Sequence, residues 1–262
     1  MPAISSTLST SDPPSLVMRS LTTPQQCYAL AGRLIPWFAW SAALLCGFGL
    51  LVGLFIAPSD VQQGEHYRIA FIHGPSMWIS VFIYVLMASA SGYGLATRHR
   101  LASMLASSMA PTGALFAFVA LWTGSLWGKP VWGVWWVWDA RLASELLVLF
   151  LFLGFIALQE AIDDPRRADR AAGILALAGM IGLPLLYFSV YRWSMMYGTS
   201  TLSLSLPTHA MSSVFTGMLM MTSGLMAYAT AAALTRMRIV ILMRERSSEW
   251  VARHFTTKDV RP

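Results

Sequence analysis

Six segments of this chain are apolar over the length that a helix needs to cross a lipid bilayer. A hydrocarbon core of about 30 Å requires about 20 such residues in an α-helix. Backbone polar groups find no water inside a bilayer, so a single span of this kind must be helical. The sequence therefore predicts an all-α integral membrane protein with six transmembrane helices, at residues 35–57, 69–95, 104–124, 142–161, 171–191 and 211–234.

Composition agrees with this fold class and argues against others. Of the 262 residues, 56% are hydrophobic and only 11% are charged, whereas soluble domains carry about 25% charged residues. The net charge of +6 comes without a dense patch of Lys and Arg and without a nucleic-acid motif, so we expect no nucleic-acid partner. Cys27 and Cys46 are the two cysteines, and neither lies in a Cys-x-x-Cys-His motif for covalent haem attachment. The chain is therefore not expected to be a c-type cytochrome itself.

The distribution of Lys and Arg predicts how the chain is oriented. Fourteen of the 18 basic residues flank the spans on one side, which the positive-inside rule places in the cytoplasm together with both termini. We expect a multi-pass protein of a bacterial inner membrane, in contact with membrane lipid. It would have a polar cytoplasmic tail at residues 1–34, a six-helix transmembrane domain at residues 35–235 and a basic cytoplasmic tail at residues 236–262.

A loop rich in tryptophan joins the third and fourth predicted spans and faces the periplasm in this topology. Five of the eleven tryptophans lie within residues 127–139: Trp127, Trp132, Trp135, Trp136 and Trp138. If the run from Trp132 to Asp139 is helical, three of its indoles and Asp139 lie within about 100° of one another, with Trp138 flanking them. Such a platform suits a planar, amphipathic ligand. An aromatic belt at the membrane interface is the alternative.

This segment carries a resemblance to a known family. The run Trp-Gly-Lys-Pro-Val-Trp-Gly-Val-Trp-Trp-Val-Trp-Asp-Ala-Arg-Leu (127–142) resembles the tryptophan-rich signature of the haem-handling membrane proteins of cytochrome c maturation. Within that group the chain is similar to the haem exporter protein C family. The similarity also covers Ala-Pro-Ser-Asp-Val-Gln-Gln-Gly (57–64), Tyr-Arg-Ile-Ala-Phe-Ile-His (67–73) and Met-Ala-Pro-Thr-Gly (109–113).

The resemblance implies a function and a set of partners. It implies a haem transport protein, not an enzyme, which binds haem b at the periplasmic face and delivers it to a periplasmic haem chaperone. It also implies the ATP-binding and permease subunits of an ABC transporter and a small membrane subunit as partners. Two alternatives stay open: a haem lyase or cytochrome c synthase-type enzyme of the same superfamily, and a structural subunit of a haem ABC transporter complex.

The resemblance also implies an iron ligand, and one ligand position departs from the family pattern. His73 matches one of the family's two haem-ligand histidines. The other histidine of the family closes a run that corresponds to residues 189–197, where this chain has Tyr197. Haem iron accepts tyrosinate as well as imidazole ligands. The second ligand is therefore a Tyr197 phenolate, no protein side chain, or His209 in the same outer loop.

Charged side chains near the tryptophans complete the candidate site. Arg68 and Arg141 are candidates for pairing with the haem propionates, because the planar guanidinium group binds carboxylates in bidentate fashion. We include Asp139 in the site and expect it to cap the start of the fourth span or to pair with Arg141. For Glu145, one turn beyond Arg141, we expect an ion pair with that arginine along the helix.

The predicted orientation can be tested with a reporter that is active only in an oxidising compartment. Fused after Arg261, it should be silent, because the basic flanks hold both termini in the cytoplasm. An active fusion would contradict the topology, and with it the placement of the tryptophan loop in the periplasm.

Overall fold

The computed structural model describes residues 23–197 and 211–256, with side chains for all of them except 185–187, 189–197, 211 and 254–256. The described residues form seven α-helices: α1 Pro24–Leu51, α2 Ala70–Thr97, α3 Arg100–Trp132, α4 Ala140–Ala161, α5 Pro165–Tyr197, α6 Met211–Arg244 and α7 Glu249–Thr256. A π-helical turn, Val52–Ile56, continues α1, and a 3-10 turn, Glu65–Ile69, leads into α2.

Five of these helical segments are long and apolar enough to cross a membrane: 24–56, 65–97, 100–132, 140–161 and 212–244. The chain is therefore an all-helical integral membrane protein, as the sequence predicts. The fifth predicted span, residues 171–191, lies entirely within α5. That α5 crosses the membrane as a sixth span stays a prediction.

The first helix begins earlier than the apolar pattern suggests. Thr23 is the N-cap of α1, and its side chain accepts a hydrogen bond from the backbone N–H of Gln26. Pro24 follows at the first helical position, where its missing N–H costs no helical hydrogen bond. At the other end of the chain, α6 extends to Arg244. The predicted boundaries at residues 34/35 and 235/236 thus fall inside helices.

The helices pack in neighbouring pairs. The most extensive contacts join α1 to α6, α2 to α3 and α4 to α5, and α2 also packs on α5. The main apolar core lies where α2, α3 and α4 meet, with Tyr84, Phe116 and Phe152 fully or almost fully buried. Small residues allow this close approach, which is the usual device of membrane helices. Gly113 of α3, for example, lies directly beneath the Phe152 ring.

The bundle has two distinct ends. The connections 57–64 and 133–139 lie at one end, which we call the tryptophan end, and the connections 98–99 and 162–164 lie at the opposite end. At the opposite end, Arg244 of α6 donates both Nη groups to the Asp169 carboxylate of α5, at 2.6 and 2.7 Å. It also donates to Gln159 of α4 at 3.2 Å. Bidentate pairs of this kind are strong and directional, so they fix three helices against one another.

A folded connection at the tryptophan end joins α1 to α2. The buried Asp60 carboxylate accepts hydrogen bonds from the backbone N–H groups of Gln62 and Gln63, at 2.9 and 2.7 Å. Gly64 has φ +57°, in the left-handed region where glycine carries no side-chain penalty. The Tyr67 hydroxyl donates to the Pro58 carbonyl at 2.6 Å. These bonds fix the backbone around Gln63, which is part of the candidate site.

Candidate functional site

His73 lies in the first turn of α2, at the tryptophan end of the bundle. Its Nδ1 is 3.0 Å from the Ala120 carbonyl oxygen and 3.3 Å from the Thr123 hydroxyl oxygen, both on α3. The carbonyl can only accept, and the Thr123 hydroxyl donates its hydrogen to Val119 at 2.6 Å. The imidazole hydrogen therefore sits on Nδ1, and Nε2 carries a lone pair.

That lone pair is available for a ligand. Among the side chains that the structure describes, His73 Nε2 has no hydrogen-bond partner. An Nδ1–H bond to a backbone carbonyl is the arrangement that holds metal-ligating histidines in one tautomer and one orientation. The His73 side chain thus has the chemistry of a prepared metal ligand.

Three further residues build the surroundings of the imidazole. The Trp127 indole meets the His73 ring edge-on, with ring centroids 5.7 Å apart and an interplanar angle of 75°. The indole Nε1–H donates to the Gln63 side-chain oxygen at 2.9 Å. Gly124 provides the space for the imidazole, since a Cβ atom at that position would lie only 3.1 Å from His73 Cε1. Backbone from α2, α3 and the 57–64 connection converges here.

The described residues do not provide a cage for a bare metal ion. Across the described ranges, no three or more His, Cys, Asp and Glu side chains are grouped so that they could hold one. A single imidazole beside broad aromatic surfaces suits instead a metal that arrives already held by a planar macrocycle, with axial positions open.

The tryptophan segment is not a continuous helix, so the condition under which its indoles would share one helical face is not met. Helix α3 ends at Trp132, because Gly133 adopts φ +78° and donates its N–H to the Lys129 carbonyl at 3.0 Å. This left-handed glycine cap terminates a helix. The chain from Val134 to Trp138 is irregular, and α4 begins at Ala140. The indoles are distributed along a turn instead of one helix face.

The indoles of this segment differ in their contacts. Trp132 and Trp135 are about half exposed, and each has a cation beside its ring: Arg141 lies 5.3 Å from the Trp132 centroid and Lys129 lies 5.9 Å from that of Trp135. Cation–π contacts of this kind orient the ring.

The remaining pair of indoles contact each other. Trp136 and Trp138 meet edge to face, with centroids 5.3 Å apart. Trp138 is 76% exposed, whereas the Trp136 Nε1–H is buried without a partner among the described residues. The segment therefore presents three indoles that are half or more exposed, Trp132, Trp135 and Trp138, and one, Trp136, whose N–H is buried.

Asp139 fulfils both roles that its sequence position predicts. Its Oδ1 accepts from the backbone N–H groups of Arg141 and Leu142, at 3.0 and 2.9 Å, and so caps α4. Its Oδ2 accepts from the Arg141 guanidinium Nε and Nη2, at 2.9 and 2.6 Å. The predicted pairing of Glu145 with Arg141 is wrong, because Arg141 binds Asp139 and Glu145 instead contacts the Ser80 hydroxyl of α2 at 2.7 Å.

Arg68 is also bound within the protein. It pairs with Glu65 in the 3-10 turn, donates to the Gly53 carbonyl in the π-helical turn after α1, and lies beside the Tyr67 ring. Both arginines predicted to meet a ligand carboxylate therefore already have an acidic partner. Tyr197 is the last residue of α5 and its side chain is not described, and His209 lies outside the described residues. Their roles stay predictions.

Comparison with known proteins identifies the family. The profile of the family described as "Heme exporter protein C" matches residues 17–252. The chain belongs to the haem exporter protein C family. Heme exporter protein C of Escherichia coli K12 is 42% identical over 235 residues, which cover 90% of this chain and 95% of that protein.

Two further relatives show the spread of the family. Heme exporter protein C of Bradyrhizobium diazoefficiens is 45% identical over 182 residues, covering 70% of this chain and 69% of that protein. A Marchantia polymorpha protein described as a putative cytochrome c biosynthesis ccmC-like mitochondrial protein is 38% identical over 177 residues, covering 68% and 74%.

In this member of the haem exporter protein C family, sequence reasoning missed the residues that prepare His73. These are Gln63, Ala120, Thr123 and Gly124. One signal was available, because Ala120, Thr123, Gly124 and Trp127 have the spacing of a single helix face. This spacing indicates that α3 packs on another helix, but it does not identify His73 of α2 as the residue in contact. Ala120 contributes only its backbone carbonyl, which every residue has.

We predict that Gly124→Ala lowers the free energy of unfolding by about 1 to 3 kcal/mol, because its Cβ would overpack against the His73 ring. Gly47→Ala is the matched control, since no described atom lies within 4 Å of a Cβ there, and it should be neutral or slightly stabilising. Chemical denaturation in detergent measures both. In a His73→Ala background the cost of Gly124→Ala should largely disappear. An equal cost in both backgrounds would contradict this packing.

Proposed function

We propose that this chain binds haem at the periplasmic face of the inner membrane, through His73, and delivers it to a periplasmic haem chaperone for cytochrome c maturation. One observation carries the proposal: His73 is held in one tautomer, its Nε2 has no partner among the described side chains, and partly exposed tryptophans lie at the same end of the bundle. Membership of the haem exporter protein C family supports it.

His73 supplies the axial ligand in this proposal. Bound haem would bring an iron whose axial position accepts the imidazole nitrogen. The Nδ1–H bond to the Ala120 carbonyl orients the ring and increases the donor strength of Nε2. The edge contact with Trp127 prevents the ring from turning, so the position of the ligand atom is set before haem arrives.

The tryptophan segment supplies area for the porphyrin. Trp132, Trp135 and Trp138 are each half or more exposed within one short segment, and indoles bind planar apolar ligands by burial and stacking. Because the segment is an irregular turn at the end of the bundle, the ligand would be covered only in part. A partly covered ligand can be passed to a second protein without unfolding the first.

Arg141 and Arg68 supply positive charge at the edge of the proposed haem site. Arg141 uses Nε and Nη2 for Asp139, which leaves the Nη1 group for a haem propionate. Arg68 likewise pairs with Glu65. The acidic partners hold the arginines in place and reduce the net positive charge around them. The propionates would therefore be bound reversibly.

We propose that the transported group is haem b and that the chain works in a complex. Its partners would be the ATP-binding and permease subunits of an ABC transporter, a small membrane subunit, and the chaperone. Both termini would lie in the cytoplasm, opposite the tryptophan end, and α5 would be the fifth of six spans.

Replacing His73 should remove the axial ligand. We expect purified wild type supplied with haem to show a Soret band, and His73→Ala to lose it or shift it to that of unligated haem. His66→Ala is the matched control, since His66 is an exposed histidine at the same end of the bundle. Equal spectra for wild type and His73→Ala would disprove ligation by His73, and attachment of haem to an apocytochrome peptide by the purified chain would favour the lyase function.

Replacing the exposed indoles should impair delivery but not insertion. In a double variant with Trp135→Ala and Trp138→Ala, the loss of each indole should remove about 1 to 3 kcal/mol of apolar contact with haem. Transfer of haem to the purified chaperone should therefore be strongly reduced. Trp37→Ala is the control, because Trp37 is as exposed as Trp138 but lies in the middle of α1, away from the tryptophan end. Normal transfer by the double variant would make the segment an interfacial belt.

The second iron ligand can be identified from the spin state. If Tyr197 binds as a phenolate, reduction should loosen it, because this hard anionic donor favours ferric iron. Tyr197→His should then convert a high-spin complex to a low-spin one, and Tyr197→Phe should alter the ferric spectrum. If wild type is low-spin, Tyr197→Phe changes nothing and His209→Ala gives high-spin iron, then His209 is the ligand.

A further inference from the structure

Glu145 is a buried acid that the proposed haem site does not use. It lies in α4, one turn and a half beyond Asp139, and only 7% of its surface is exposed. The nearest cation in sequence, Arg141, is bound to Asp139. A carboxylate buried in a membrane span without a cation is costly, so the side chain needs another explanation.

Hydrogen-bond arithmetic gives that explanation. The Ser80 hydroxyl oxygen lies 2.8 Å from the Met77 carbonyl oxygen and 2.7 Å from Glu145 Oε1. A hydroxyl has one hydrogen, while a carbonyl and an ionised carboxylate both only accept. Two short contacts to acceptors can therefore not both be satisfied by Ser80. They are both satisfied if Glu145 is protonated and donates to Ser80, which in turn donates to Met77.

The ionisable groups around Glu145 leave this assignment intact. From α2 the candidates are His73 and Tyr84, and the Tyr84 hydroxyl donates to the Ala176 carbonyl. Between its ends, α3 has no ionisable residue from 101 to 128. The ionisable residues of α5 lie in its first turns and in the stretch 187–197, whose side chains are not described except for that of Phe188. Among the described side chains, none supplies a cation to Glu145.

Two helices connect Glu145 to His73, over about two helical turns. Ser76 and Ser80 follow His73 by three and seven residues, so all three share one face of α2. On α4, Leu142 precedes Glu145 by one turn, and a Cβ on Gly124 would touch both His73 and Leu142 within 3.5 Å. The Ser76 hydroxyl is buried without a partner among the described residues. The Ser76 hydroxyl therefore provides a polar group between Glu145 and the tryptophan end.

We propose that Glu145 is a proton-binding site in the transmembrane core, a neutral carboxylic acid that releases its proton when a positively charged ligand binds at His73. The coupling rests on the proposed function, because the charged ligand is ferric haem, whose iron and porphyrin ring together carry one net positive charge when the axial ligands are neutral. The O–H bond of Glu145 breaks, the proton leaves to solvent by way of Ser76, and the carboxylate stabilises the ferric iron across the low-dielectric core. Ferrous haem has no such charge and leaves the proton in place.

The proton itself is tested without haem. The infrared spectrum of the purified protein should contain the C=O stretching band of a protonated carboxylic acid, sensitive to deuteration, which is lost in Glu145→Gln. Glu65→Gln, at an exposed carboxylate, should instead remove carboxylate bands. Ser80→Ala keeps the acid and should shift its band, because the acceptor of its hydrogen bond is gone. Loss of a carboxylate band in Glu145→Gln would overturn the proposal.

The coupling is tested by haem affinity at several pH values. In wild type, the affinity for ferric haem relative to ferrous haem should rise about tenfold as the pH increases through the titration of Glu145, and in Glu145→Gln this relative rise should be absent. Protonation of His73 lowers the affinity for ferric and for ferrous haem alike, in both proteins. It therefore does not change the ratio of the two affinities. The same relative rise in both proteins would refute the coupling. If wild type binds no haem, the proposed function and the coupling are wrong, while the proton site is decided by the infrared band alone.

Discussion

The absence of water in the bilayer determines where polar side chains can go in this bundle. Each one must find a protein partner or remain without one at a cost. Threonines of α6 such as Thr222 and Thr230 return their hydroxyls to the carbonyl one turn earlier. His73 uses a carbonyl of a neighbouring helix, and Glu145 uses Ser80. The same requirement makes the unsatisfied polar atoms of the described side chains informative. Among them, His73 Nε2 and the Ser76 hydroxyl belong to residues on one face of α2.

The sequence predicts the membrane helices well because their signal is redundant. About twenty apolar residues in a row specify a spanning helix whatever their order, and the N-cap role of Asp139 follows from local backbone chemistry. Helix ends are less predictable, since α1 begins at Pro24 through a threonine cap outside the apolar run. The tryptophan run shows the limit most clearly. Its periodicity agrees with a helix, but Gly133 has positive φ and terminates it, and a single glycine does not reveal its backbone conformation in the sequence.

Partners across helices are the part that the sequence could not supply. Arg141 and Glu145 have the spacing of a helical ion pair, yet Arg141 directs Nε and Nη2 to Asp139 Oδ2. Glu145 instead lies 2.7 Å from Ser80 of α2. Likewise, the indole Nε1–H of Trp127 reaches Gln63, which is far away in sequence. These contacts depend on how helices are rotated against one another. That rotation is decided by small residues such as Gly113 and Gly124, where the neighbouring side chain occupies the space of a missing Cβ.

The partner that holds the His73 tautomer is a main-chain carbonyl of Ala120, not a side chain. Every amino acid carries that carbonyl, so no substitution at position 120 deletes the acceptor, provided that α3 keeps its course. The orientation of the imidazole is in this respect inherited from the backbone and is protected against point mutation. Sequence drift can therefore replace the side chains around the histidine while Nε2 keeps its lone pair.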